Sequence, residues 1–396
     1  MSLPARSVAA LGSLVVCAWT TSLALAGSGP PVPASSPDPR NAAFLQACGA
    51  GDERLHEAAV AVAERVAKGR AVPDMHELTG ILRAQQDPHT RPRAWTLRAV
   101  DLDRDAARVR LSTWLRTLGS AGVRRCGVAS IVDSQRGETV AVVVADAIAD
   151  TMTELPDSVR TSSWLTVEAR SLVHASEARL VVLGPRGAPR TIPTSFDRGS
   201  GRVLGRFMAD RPGRWVVQLL LTIDSGPQPA LELEVEAGDG AADRARSAEA
   251  PGETAVTAER DDGVAMTVML NVARKTEGMG SLIRDVRLDA VAERHVKAMM
   301  KAGVMAHEAG DGNPASRMDA AGLSPRELGE NVARAPSPAL AHRVLWDSPS
   351  HRGNMLHGRF KRVGVAAARD ASGAVWVTQV FASGEPGWDE GRGDGD

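Results

Sequence analysis

The spacing of apolar positions divides the 396-residue chain into segments of different period. In "DERLHEAAVAVAERVAKG", Leu55, Ala58, Ala59, Val62, Ala63 and Val66 recur at helical spacing, which predicts an amphipathic helix. "RRCGVASIV" and "TVAVVVADAIA" are apolar runs separated by the turn "DSQRG", and they predict two paired strands. Between 161 and 237 the period shortens. "SWLTVEARSL", "ARLVVLG", "GRVLGRFMA", "RWVVQLLLTI" and "ALELEVEA" are each a strand's length, with Gly and Pro between them. Regular short strands of this kind predict an all-β sandwich of immunoglobulin-like type. Further on, Leu288, Val291, Ala292, His295, Val296 and Met299 form the stripe of a second amphipathic helix, expected to stop at Lys301-Ala302-Gly303. His295 lies on that apolar face and reads as a hydrogen-bonded core histidine, not a ligand.

Aperiodic polar stretches separate these regions. Residues 27–40 read as a Pro/Ser linker, 238–262 as a flexible linker and 386–396 as a disordered tail. The regions between them are an α+β domain (41–150), the β-sandwich (161–237) and a last domain (263–385). At the N-terminus, Arg6 precedes an apolar run to Ala26 that ends in Ala24-Leu25-Ala26, the order of a cleavable signal peptide over 1–26. An uncleaved anchor is the alternative. Val15 and Val16 are too bulky for a lipid-attachment signal at Cys17. The expected location is therefore secreted, periplasmic or at the cell envelope, with no membrane contact after cleavage.

A net charge of −1 gives no electrostatic case for a nucleic-acid partner. The excess of Arg (42 against 5 Lys) and the absence of Tyr reflect proteome bias more than function. With Cys17 removed, Cys48 and Cys126 remain: either one disulfide in an oxidising compartment or two buried thiols. The lack of a Cys-x-x-Cys pair excludes a thiolate zinc site.

Two parts of the chain resemble each other. "RCGVASIVDSQRGETVAVVV" (125–144) aligns with "RVGVAAARDASGAVWVTQV" (362–380) with a single gap, and "ERLHEAAVAVAERVAKG" with "VRLDAVAERHVKAMMKAG". Duplication explains both matches, and chance likeness of Ala/Val-rich segments is the alternative. The first copy has no Gly-Glu-Asn and no Ser-Pro-x-His, and His89 is its only suggestive histidine. It reads as a degenerate scaffold.

"LDAVAERHV", "MAHEAGDGNPASRMDAAG", "GENVA", "LWDSPSHRGNML", "FKRVGVAAA" and "WVTQVF" follow one another in an order and spacing that resembles the CAP superfamily. This is the SCP-like extracellular family of cysteine-rich secretory, antigen and pathogenesis-related proteins, here in its cysteine-poor bacterial form. The resemblance implies an α-β-α sandwich over 263–385 in a multi-domain chain; if the internal likeness reflects duplication, 41–150 is a degenerate CAP-like copy. It also implies a cleft lined by His307, Glu330 and His351. The family's second glutamate has no clean equivalent; Asp347 and Glu308 are the candidates for that fourth place. Asn331, Arg317, Asn354 and Gln379 fall on motif positions and read as scaffold around the cleft.

Two imidazoles and a carboxylate suit zinc, and calcium or magnesium less well, although no cofactor is required. The same groups could do acid-base work. The alternatives are a capping role for Glu330 and a loop-pinning role for His351. No His-Glu-x-x-His, Gly-x-Ser-x-Gly or Ser-x-x-Lys motif is present, and Ser348 and Ser350 are the only hydroxyls close in sequence to His351. The expected function is an extracellular binding module for a lipid, glycan or peptide. The alternatives are a metal-assisted hydrolase on the same residues and a structural envelope protein.

Overall fold

The computed structural model describes residues 38–383 except Asp74, Ser120, Ala121, Ser225, 239–248 and 257–260. The expected signal peptide, most of the 27–40 linker and the 386–396 tail lie outside the described residues.

The first unit runs α1 (Ala42–Cys48), β1 (Ala50–Gly51), α2 (Glu53–Ala67), α3 (Met75–Ala84), β2 (Arg93–Ala99), α4 (Arg104–Thr117), β3 (Val123–Asp133) and β4 (Gly137–Ala147). Its sheet has the order β1-β3-β4-β2. Leu55, Ala58, Val62, Leu78 and Leu82 of α2 and α3 pack on one face with Ala141 and Val143. Phe44, Leu111 and Leu115 of α1 and α4 pack on the other with Val140, Val142 and Val144. Burial on both faces is why β4 reads as an unbroken apolar run. A disulfide joins Cys48 at the end of α1 to Cys126 in β3, which decides between the two cysteine readings. The loop it closes is long enough for about 2–4 kcal/mol of stabilisation.

The middle unit is all β. It comprises β5 (Ala149–Thr151), β6 (Ser158–Val159), β7 (Ser163–Ser171), β8 (Glu177–Leu183), β9 (Arg190–Ile192), β10 (Thr194–Asp197), β11 (Arg202–Ala209), β12 (Gly213–Ile223) and β13 (Gly226–Ala237). Two sheets, β10-β11-β7-β5 and β6-β13-β12-β8-β9, share one core of Leu165, Val167, Val203, Phe207, Leu180, Trp215, Leu219 and Leu231. The unit begins earlier than expected. The strand Ala149–Thr151, which starts at the last residue of the run that the sequence reads as a strand of the first unit, pairs instead with Ala169–Ser171 of β7.

The last unit runs α5 (Asp262–Thr276), β14 (Ile283–Arg284), α6 (Val286–Ala302), α7 (Pro314–Ala320), β15 (Leu328–Ala335), α8 (Pro338–Asp347), α9 (Pro349–Met355), β16 (Phe360–Arg369) and β17 (Val375–Ser383). Its sheet order, β14-β16-β17-β15, repeats that of the first unit, and so do the strand directions.

The correspondence extends to single residues. Ala50 and Gly51 pair with Arg125 and Cys126, as Ile283 and Arg284 pair with Arg362 and Val363. Asp52 and Asp285 each cap the next helix with a side-chain oxygen and donate a backbone N–H into the sheet. Gly127 and Gly364 each sit where a helix backbone crosses the sheet. A Cβ on Gly127 would lie 1.9 Å from the Leu55 carbonyl carbon, and one on Gly364 2.1 Å from that of Leu288.

Part of the expected 238–262 linker is not free chain. Glu253–Ala255 form a turn of 3-10 helix, Ala250 is buried in the core beside α5 and α8, Arg343 forms an ion pair with Glu253, and His342 Nε2 lies 2.9 Å from the Pro251 carbonyl oxygen. The polar composition reads as linker because these ties come from side chains of α8, remote in sequence.

The first and middle units are also joined. Glu232 N–H donates to the Pro88 carbonyl at 2.8 Å, and Thr90 Oγ1 to the Pro229 carbonyl at 2.8 Å. His89 is buried at this junction, 3.0 Å from Asp87 and 3.5 Å from Asp150, which pairs with Arg125. The sequence shows no carboxylate partner for His89 at the spacing of a cleft; folding supplies two. Burial alone would push the imidazole pKa down, but Asp87 and Asp150 raise it from 6.5 to about 9. A raised folded-state pKa makes this stabilisation complete below pH 6.5 and removes it as pH climbs towards 9. Denaturant melts from pH 6 to 9.5 should therefore show wild type losing more stability than His89→Gln over that window.

Candidate functional site

The site forms along β15, the edge strand of the last sheet. Helix α6 ends at Gly303, in the left-handed conformation with φ 66°, and the chain then turns to carry His307 back over the sheet. His307 Nδ1 donates to Glu330 Oε1 at 2.8 Å. Arg317 of α7 donates to the other oxygen, Oε2, at 2.5 Å, and to the His307 carbonyl at 3.0 Å. The Glu330 and Arg317 side chains are 2% and 4% exposed, so this is a desolvated ion pair. The His307 side chain is 52% exposed.

His351 comes from α9 and is half-buried, with no hydrogen-bond partner for its solvent-excluded Nδ1 among the described residues. Burial, and the neighbouring His307, push its pKa from 6.5 down to about 4. The ring is therefore neutral at neutral pH. A lowered histidine pKa means the folded state resists protonation, so stability falls as pH drops from 6.5 towards 4. Thermal melts across that window should show a shallower acid slope for His351→Gln than for wild type.

The remaining motif residues fasten α9 to the sheet. Asn331 Nδ2 donates to the His351 carbonyl at 3.2 Å and to Gln379 Oε1 at 3.1 Å. Asn354 Nδ2 donates to Asn331 Oδ1 at 2.9 Å and to the Glu330 carbonyl at 3.2 Å. His295 is fully buried, as its place on the apolar stripe predicts. Its Nδ1 lies 2.9 Å from Asp311 and its Nε2 2.9 Å from the Ala306 carbonyl and 3.8 Å from Glu330.

Two readings differ from the structure. Asp347, a candidate fourth cleft member, ends α8 and forms an ion pair with Arg214 of the middle unit at 3.8 Å. Glu308, the other candidate, is exposed in the loop after His307. The carboxylate missed from sequence is Asp311, which lies between Gly310 and Gly312, both at positive φ (87° and 84°). That Gly-Asp-Gly signal was available, because two left-handed glycines turn a loop sharply enough to aim the residue between them.

The first unit shows what the same fold does without the site. Val144 pairs with Cys126 and Arg93 as Phe381 pairs with Val363 and Gly329, so the strand positions correspond. Glu330 then corresponds to Ala94, Asn331 to Trp95 and Gln379 to Val142. Counting from the capping aspartates, His295 corresponds to Val62. These four polar positions of the last unit are apolar in the first unit.

Residues 268–381 match the family model of the cysteine-rich secretory protein family, CAP. No curated protein matches the chain. Similar solved structures include an outer surface protein from Borrelia burgdorferi, at 16% identity over 31% of this chain and 93% of that one, with a TM-score of 0.30. An extracellular protein containing an SCP domain from Bacillus anthracis matches at 17% identity over 67% and 83%, with a TM-score of 0.29. A cysteine-rich secretory protein from Staphylococcus aureus matches at 12% identity over 60% and 84%, with a TM-score of 0.27.

Proposed function

We propose, from the CAP domain at residues 268–381, that this chain is an extracellular binding module whose ligand is held by the imidazoles of His307 and His351. The observation that carries the reading is the state of the carboxylate. Both Glu330 oxygens are already engaged, one by His307 and one by Arg317, while the His351 Nδ1 has no partner among the described residues. What the cleft offers is the hydrogen-bonding capacity of these two imidazoles, a recognition surface for a polar group of a lipid, glycan or peptide. In this reading the middle unit is an immunoglobulin-like spacer, and the N-terminal segment is a cleavable export signal. Among the described residues, no helix is long and apolar enough to cross a membrane.

A divalent cation is compatible with this arrangement in one form. Among the described residues no set of three or more His, Cys, Asp or Glu side chains gathers around a point. Two imidazoles suit zinc, with solvent completing its shell, whereas calcium and magnesium need oxygen ligands that Arg317 and His307 have taken. The hydrolase reading is weaker. Ser348 and Ser350 hydroxyls lie 3.3 Å from one another, and no imidazole is their hydrogen-bond partner among the described residues.

The test is a thermal-shift screen of lipids, glycans and envelope peptides against the full chain and a His307→Ala/His351→Ala variant. Stabilisation by a ligand in wild type and its loss in the variant is the expected result. Equal stabilisation of both would remove the cleft from the account.

A further inference from the structure

We propose that Arg214 and Asp347 are positioning residues through which the middle unit holds α9, and with it His351, in place. The inference rests on the cleft reading only in giving His351 a role; the mechanical claim stands on contacts. Helix α9 has two sides. Towards β15 it is pinned by the Asn331 and Asn354 hydrogen bonds. On the other side it packs against β8 and β12 of the middle unit. There a Cβ on Gly353 would stand 3.4 Å from Pro189, and Gly187 N–H donates to Glu277 of α5's C-terminal cap at 3.1 Å.

A line of charge runs through this contact. Arg83 of α3 lies 4.0 Å from Glu234 of β13, Glu234 accepts from Arg214 Nε of β12 at 3.0 Å, and Arg214 reaches Asp347 at 3.8 Å. Asp347 is the last residue of α8, two positions before α9 begins. Arg352, in the middle of α9, stacks its guanidinium 4.1 Å over the Trp346 ring, and its Nε donates to the Trp346 carbonyl at 2.5 Å. The Arg352 Nη1 is buried without a hydrogen-bond partner among the described residues, and Asp347, Glu277 and Arg214 are the charges that face it. A buried cation with an unfilled donor holds its place through nearby carboxylates. Asp347 is oriented by Arg214. Removing Arg214 therefore loosens the turn at residues 347–349, and His351 follows two residues later.

The experiment uses the full chain with Arg214→Gln, Asp347→Asn and both together. It measures amide hydrogen exchange over 349–355 and the rate at which diethyl pyrocarbonate modifies His351. Neither readout needs a ligand, so a failure here is separable from a failure of the binding reading. Each single substitution should speed exchange in α9 and modification of His351 by at least about 5-fold. The double variant should be no worse than either single one, because the two residues act as a unit. Unchanged α9 exchange, additive effects in the double variant, or equal acceleration in β16 and β17 would each overturn the proposal.

Discussion

Gly364→Ala is expected to cost the last unit more than about 4 kcal/mol, and Gly127→Ala to cost the first unit a similar amount. Each added methyl would fall within 1.9–2.1 Å of helix backbone, Leu55 in one unit and Leu288 in the other. Backbone cannot swing aside as a side-chain tip can. The helix would have to leave the sheet, and α2 and α6 each carry much of their unit's core. The two glycines matter for contact distance, not for a left-handed backbone, since neither has a positive φ. Separate melting of the two units by calorimetry would check the prediction. If one glycine tolerates alanine and the other does not, the two units do not share the helix-on-sheet contact described here.

Arg317→Ala is expected to destabilise the last unit by about 3–5 kcal/mol. The substitution leaves the Glu330 carboxylate buried beside His295 and His307 without its guanidinium partner. It also removes a donor to the His307 and Gly312 carbonyls, so the loop carrying His307 loses its tie to α7. Adding Glu330→Gln should recover much of the loss, because a neutral amide is cheaper to bury than a lone carboxylate. Urea melts of wild type, the single and the double variant would decide it. A single variant within about 1 kcal/mol of wild type, as at an exposed pair, would contradict the burial argument.

What was legible in the sequence was whatever period and motif carry. The α2 and α6 stripes, the paired strands after Arg-x-Gly-Val-Ala and the likeness between the two ends of the chain all reappear as elements and register. The placement of His295 also follows from its stripe, because a helix face is set by spacing alone. His307, Glu330 and His351 could be named because short motifs mark them, and two of these sit in contact.

The rest depended on directions that spacing does not encode. Asp347 closes a helix, and at a helix end the side chain's heading is set by what packs there, which here is Arg214 from another unit. Asp311 lies in a loop without period, marked only by the glycines on either side of it. His89 drew attention as the first unit's one suggestive histidine, but its carboxylates come from two positions before it and from the start of the middle unit. The polar stretch after 238 looks like linker because Ala and Glu carry no sign of the α8 arginine that Glu253 meets.

The central claim is that the two imidazoles, and not the Glu330 carboxylate held by His307 and Arg317, are what the cleft presents to a ligand. Calorimetric titration of zinc into the full chain, beside the His307→Ala/His351→Ala variant, tests it most directly. The account predicts one site of micromolar affinity in wild type and no binding heat in the variant. The same heat from both proteins would contradict it, and would leave these histidines as parts of the scaffold.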